Sequence, residues 1–149
     1  MYLLDSNVYI RAFRDLAFGR ELLEFHQREL RRLVVSAVVA SEVLVGAQSP
    51  RRERAVRGTL VEPFRARRRF LVPGWSTWAL ATAIDRQLRA RLTLRGRLGE
   101  RSFFHDILIA ASARELGATI ITLNTADFGL IGRHVDITFV EPWPRQPAA

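Results

Sequence analysis

An α/β fold with a mainly parallel sheet is predicted by three features of this sequence. Short strand-like segments alternate with helical ones along most of the chain. The strand-like segments are apolar throughout rather than alternating, as in a sheet covered on both faces. Gly, Pro and capping residues stand between them.

Tyr2 to Leu4 reads as a short buried strand. Asp5-Ser6-Asn7 then offers capping side chains, and Val8 to Phe13 continues as a helix. Arg20 to Arg31 carries Leu22, Leu23, Phe25 and Leu30 among charges, the pattern of an amphipathic helix. Leu33 to Ser36 reads as a second strand and Ala37 to Ala47 as a helix ending near Gly46. Pro50 to Arg69 is arginine-dense and helical in part, with Pro63 as a break. Phe70 to Val72 is a short strand stopped by Pro73-Gly74. Helices are expected over Ser76 to Leu92 and over Ser102 to Leu116, the second closed by Gly117. Thr119 to Leu123 and Asp136 to Val140 complete the strands. Residues 1–141 are expected to form one domain, with 142–149 a proline-rich tail too short to be an independent unit.

The 149 residues are 48% hydrophobic, enough for one core. No apolar stretch reaches the ~18 residues expected of a membrane span, and no secretory signal is visible after Met1. Cysteine is absent, which excludes disulfides and thiolate metal sites and is compatible with a cytoplasmic address. The net charge is +8, and all 23 basic residues are arginine. Small proteins this basic often meet nucleic acid.

Four carboxylates interrupt this cationic, apolar background. Asp5 ends the first strand, Glu42 lies within Ala37–Val45, Asp106 within Phe103–Ala111, and Asp127 follows Thr119–Leu123 by four residues. A carboxylate among apolar side chains is costly unless compensated. Ordinary roles exist: Asp5 and Asp127 as caps, Asp106 in a first helical turn. Glu42 resists such a reading, since its helical neighbours are Val38, Val39, Val45 and Gly46. Ligand sites of parallel sheets lie beyond the carboxyl ends of the strands. Asp5, Glu42 and Asp127 all follow strands, and Asp106 joins them if its helix begins at that edge. Four converging acids without cysteine, and with few histidines, favour a hard cation, Mg²⁺ or Mn²⁺, over zinc. Ser6, Asn7 and Asn124 are candidates to add a hydroxyl and amides around it.

The motifs Leu4-Asp5-Ser6-Asn7, Ser41-Glu42, His105-Asp106-Ile107-Leu108-Ile109-Ala110-Ala111 and Thr122-Leu123-Asn124-Thr125-Ala126-Asp127-Phe128 resemble, in this order, those of PIN-domain ribonucleases. The VapC-type toxins of bacterial toxin–antitoxin modules are the nearest group. The resemblance covers essentially the whole chain. It implies a three-layer α/β/α sandwich, a Mg²⁺-dependent endoribonuclease acting on RNA, a homodimer, and inhibition by a small VapB-type antitoxin. It carries over Asp5, Glu42 and Asp106 as catalytic and metal-binding acids. The fourth acid falls on Asp127, because the alternative family position is the neutral Asn124. Ser6 replaces the family's common threonine and keeps the hydroxyl.

Eight arginines between Arg51 and Arg69 and six between Arg86 and Arg101 read equally as solvated helix faces or as phosphate contacts near the acids. His26, His105 and His134 form no metal-ligand pattern and are expected to be structural or on the surface, with His105 lining the site as the lesser alternative. Trp75 and Trp78 are expected to pack in the core, with a dimer contact as the alternative, and Trp143 to pin the tail. Two other functions compete. A phosphatase with Asp5 as nucleophile lacks the second aspartate two residues on, where Asn7 stands, and lacks a lysine. A non-catalytic basic module binding RNA or a partner, with a degenerate acidic pocket, is left room by Asn124.

Overall fold

The computed structural model describes residues 1–91 and 101–144. Five strands, β1 (Tyr2–Leu4), β2 (Leu33–Ser36), β3 (Phe70–Leu71), β4 (Thr119–Ile121) and β5 (Thr138–Val140), form one all-parallel sheet in the order β3-β2-β1-β4-β5. The helices flanking it are α1 (Ser6–Ala12), α2 (Leu16–Glu29), α3 (Ala37–Val45), α4 (Pro50–Val56), α5 (Glu62–Ala66), α6 (Trp75–Arg89), α7 (Arg101–Leu116) and α8 (Thr125–Ile131). This is the expected α/β architecture with helices covering the sheet. The inner strands β1, β2 and β4 are buried along nearly all their length, whereas β3 and β5 at the edges are partly open.

Local chemistry explains most boundaries. Side chains of Asp5, Asp15, Ser36, Ser49 and Asn124 cap five helices by accepting backbone N–H groups, each cap contributing about 1 kcal/mol. Gly117 ends α7 at φ +60°, a conformation that suits glycine. Pro63 does not break its segment. A π-helical turn over Arg57–Val61 joins α4 to α5, and Pro63 sits in the first turn of α5, where its missing N–H costs little.

The segment around Asp127, assigned to no element in the sequence reading, is the helix α8. Asn124 caps it and the fully buried Phe128 and Ile131 anchor it. Burial of such a side chain contributes about 1.5–3 kcal/mol, which outweighs the two glycines nearby. The tryptophans divide. Trp143 does hold the tail, stacking on Phe18 and Phe25 and donating to Glu21 at 2.7 Å. Trp75 and Trp78 are not in the core: they are 83% and 42% exposed, and Trp78 only leans on Phe104. The helix expected to reach Leu92 ends at Arg89, with Ala90 as its cap; Leu92, Arg95, Arg97 and the tail beyond Pro144 lie outside the described residues. Within the described residues, no helix is long and apolar enough to cross a membrane.

Candidate active site

The chain runs outward from β1 to β2 and β3, then returns to the other side of β1 as β4. The point of return lies between β1 and β4, and in open parallel sheets the crevice beyond the carboxyl ends at such a point is where ligands bind. Asp5 stands there. Its N–H donates to Ile121 O at 2.9 Å, which holds the first acid against the end of β4.

The Asp5 carboxylate is buried and closely held. Oδ1 accepts from Ser6 N at 2.7 Å and from Ser6 Oγ at 3.4 Å. Oδ2 accepts from Asn7 Nδ2 at 2.6 Å and from Thr122 Oγ1 at 2.7 Å. Asn7 also clips the two strand ends together, donating to Thr122 Oγ1 at 3.2 Å and accepting from Leu123 N at 3.2 Å. Burial pushes Asp5 up to about 6, although the Thr122 and Ser6 bonds pull the other way.

Glu42 projects from α3 and meets α7. Its Oε1 lies 2.8 Å from His105 Nδ1, and a carboxylate only accepts, so the ring nitrogen carries the proton. Glu42 Oε2 is buried and has no hydrogen-bond partner among the described residues. Asp106 follows His105 on α7 and makes no hydrogen bond within the described residues. Burial first, then the charges of Asp5, Glu42 and Asp127, push it up to about 8. Asp127 opens α8 and its Oδ2 accepts from Asn124 Nδ2 at 2.7 Å.

All four sequence-selected acids therefore share one field, although they come from four separate elements. They do not share a coordination shell: among the described residues, no three acidic or histidine side chains stand at metal-holding distance. Repulsion between the carboxylates opposes closer approach. The donor set nonetheless fits a hard cation. It is all oxygen, it includes one buried oxygen without a partner, and Asp106 is raised by its acidic neighbours. The ion pairs of the described arginines go to Glu53, Asp85 and Glu29, and none reaches Asp5, Glu42 or Asp106.

Two residues at this site escaped the sequence reading. Thr122 looked like part of a β-branched strand, and only the β1–β4 pairing brings it onto Asp5. His105 was expected to be structural or on the surface, yet it bonds the acid for which no basic neighbour exists on its own helix. His26 and His134 do behave as expected, His26 packing on Tyr9 and Phe64 and His134 bonding Gln87.

A sequence-family model described as PIN domain matches residues 2–132. The chain belongs to the PIN domain family. Among solved structures, this PIN domain resembles VapBC-1 from nontypeable Haemophilus influenzae, with a TM-score of 0.66, 24% identity, and coverage of 94% of this chain and 96% of that one. It also resembles a DNA-bound VapBC from Salmonella typhimurium, with a TM-score of 0.66, 21% identity and the same coverages. FitAcB from Neisseria gonorrhoeae matches with a TM-score of 0.64 and 22% identity over 96% of this chain and 99% of that one. At these identities the likeness concerns the fold. Comparison with curated proteins finds no match.

Proposed function

We propose that this PIN domain is a Mg²⁺-dependent endoribonuclease, the toxin of a type II toxin–antitoxin pair, hydrolysing RNA phosphodiester bonds in the cytoplasm. The observation that carries the reading is the convergence of Asp5, Glu42, Asp106 and Asp127 at the β1–β4 crevice, with Glu42 Oε2 buried and unpartnered. Family membership supports the nuclease class.

In this reading the four acids are the catalytic and metal-holding residues. Mg²⁺, or Mn²⁺ in its place, would supply charge neutralisation at the phosphodiester and activation of an attacking water. Ser6, Asn7 and Thr122 fix the direction of Asp5. His105 orients Glu42 so that Oε2 is left to face the pocket. Asn124 does the same for Asp127. Such outer partners are what keep ligand carboxylates in place.

The partner in this reading is a small antitoxin of the VapB type, supported by the VapBC and FitAB complexes among the structural neighbours. An apolar cleft of about 280 Å³ between α1, α3 and α4, containing Ile10, Phe13 and Val43 and rimmed by Arg14 and Arg52, suits an apolar segment with acidic flanks. A homodimer belongs to the same reading, and the exposed Val72, Trp75 and Trp78 supply an apolar surface for it.

The test is RNA cleavage by antitoxin-free protein in Mg²⁺. Asp5→Ala and Glu42→Ala are each expected to lower the rate at least 100-fold, on the scale of removing a group that holds transition-state charge. Activity surviving in both variants would remove the mechanism. Metal-dependent RNA binding with no cleavage by the wild type would favour the non-catalytic module instead.

A further inference from the structure

Two short arginine-rich segments lie at the edge of the sheet opposite the four acids. Asp5, Glu42 and Asp127 follow strands and so lie toward the carboxyl edge, where Asp106 joins them. The segments entering β2 and β3, residues 28–32 and 65–69, lie at the opposite, amino edge. They contain seven arginines and one acid, Glu29. Glu29 is buried and bridged by Arg28 and Arg32 at 3.4 Å each. Backbone bonds tie this edge together: Arg32 O accepts from Tyr2 N at 2.8 Å and Arg69 O from Val35 N at 3.0 Å. Arg31, Arg68 and Arg69 have no carboxylate partner among the described residues.

A cleft of about 270 Å³ opens at this edge. Arg67, Arg68 and Arg69 line it together with Met1, Val34 and Leu116. Arg67 is turned back along α5, donating to Pro63 O at 3.1 Å. Arg68 adopts φ +55° where α5 ends, with Arg69 N closing onto Phe64 O at 2.7 Å. Glycine is the common residue in that helix-ending conformation. An arginine held there, beside two others and with no carboxylate partner among the described residues, points to a role for its charge beyond solvation.

We propose that this amino-edge cleft is a second nucleic-acid site that grips the ribose–phosphate backbone of RNA through Arg68 and Arg69, with Arg31 extending it. Guanidinium groups match phosphate bidentately and always carry charge. The choice of RNA rests on the ribonuclease reading; the existence of an anion-binding face does not. The site is separated from the chemistry by the length of α7. Asp106 and Leu116 are ten residues apart on that helix, about 15 Å at 1.5 Å per residue. An RNA held at both edges must pass around the molecule, so the preferred substrate is a long or folded RNA rather than a short fragment.

The test measures binding of fluorescein-labelled single-stranded RNA in EDTA, so that cleavage plays no part, across a salt series. Arg68→Asn/Arg69→Gln is expected to bind at least tenfold more weakly than wild type. The slope of log K against log salt is expected to fall by roughly 1.4, for two lost phosphate contacts on a single strand. Arg68→Lys/Arg69→Lys is expected to keep most of that slope. Unchanged affinity in the neutral double variant with its unfolding midpoint intact would overturn the proposal. So would a lysine variant as weak as the neutral one, or displacement of the RNA by poly-glutamate at equal charge, which would assign the cleft to an acidic protein. Failure of Mg²⁺-dependent cleavage, with the arginine-dependent binding retained, would sink the nuclease reading and leave this site standing.

Discussion

At the scale of single residues, the site is built from acids that are held rather than merely placed. Asp5 spends both oxygens on local donors, whereas Glu42 has one oxygen on His105 and the other free. His105→Ala is therefore expected to leave the fold intact and to weaken Mg²⁺ binding roughly 10- to 100-fold, the usual loss for a partner of a ligand carboxylate. Calorimetric titration measures it, and wild-type affinity in the variant would show that His105 does not orient Glu42. The pH dependence follows from the two raised acids. Asp106 goes from 3.8 to about 8 and Asp5 from 3.8 to about 6. Below about 4 both folded and unfolded chains hold these protons. As pH rises from about 4 to about 8, the unfolded chain releases a proton that folded Asp106 retains, so stability falls across that window and levels off above it. His26, lowered to about 4, acts oppositely, costing stability as pH falls below its ordinary 6.5. Denaturant unfolding in EDTA should show a shallower decline from about pH 4 to about pH 8 in Asp106→Asn than in wild type. Equal declines would mean that Asp106 does not carry the shift. A hard cation favours the charged carboxylates, so the rise in unfolding temperature on adding Mg²⁺ is expected to be larger at the alkaline end.

At the scale of elements, the caps and strands set where each acid emerges. Ser36 accepts from Val38 N at the start of α3, which places Glu42 on its second turn. Gly117 turns the chain from α7 into β4 at φ +60°, and that turn sets where Thr122 leaves the sheet. Gly117→Ala is expected to cost about 1–2 kcal/mol, the penalty of a left-handed L-residue. Urea unfolding measures the loss, and an unchanged midpoint would show that the turn tolerates a side chain. Gly19 serves a different purpose. A Cβ there would stand 2.8 Å from Ala12 O, so its small size lets α2 pack closely on α1.

At the scale of the whole molecule, two surfaces remain that folding does not consume. The amino edge is cationic. The face of α6 and the turn before it exposes Val72, Trp75 and Trp78. Apolar side chains grouped on the surface mark a place that another molecule covers. If a second copy covers it, Trp75→Ser is expected to shift the protein from dimer toward monomer in sedimentation velocity without changing its circular dichroism. A monomeric wild type at the same concentration would refute this use of the surface.

The alternation of apolar strands with capped helices was legible from residue order, because burial on both faces of a parallel sheet demands continuous apolar runs, and those runs are local. So were the four acids, each conspicuous as a charge in an apolar segment. Helix α8 was not legible: the segment is short and carries Gly129, and only the burial of Phe128 and Ile131 against the core makes it helical. The exposure of Trp75 and Trp78, and the contacts of Thr122 with Asp5 and His105 with Glu42, were equally hidden. Thr122 and Asp5 are separated by 117 positions and Glu42 and His105 by 63. A side chain's own neighbours in sequence fix its helix or strand, but which distant group it meets depends on strand order and helix packing, which are settled by the whole core at once.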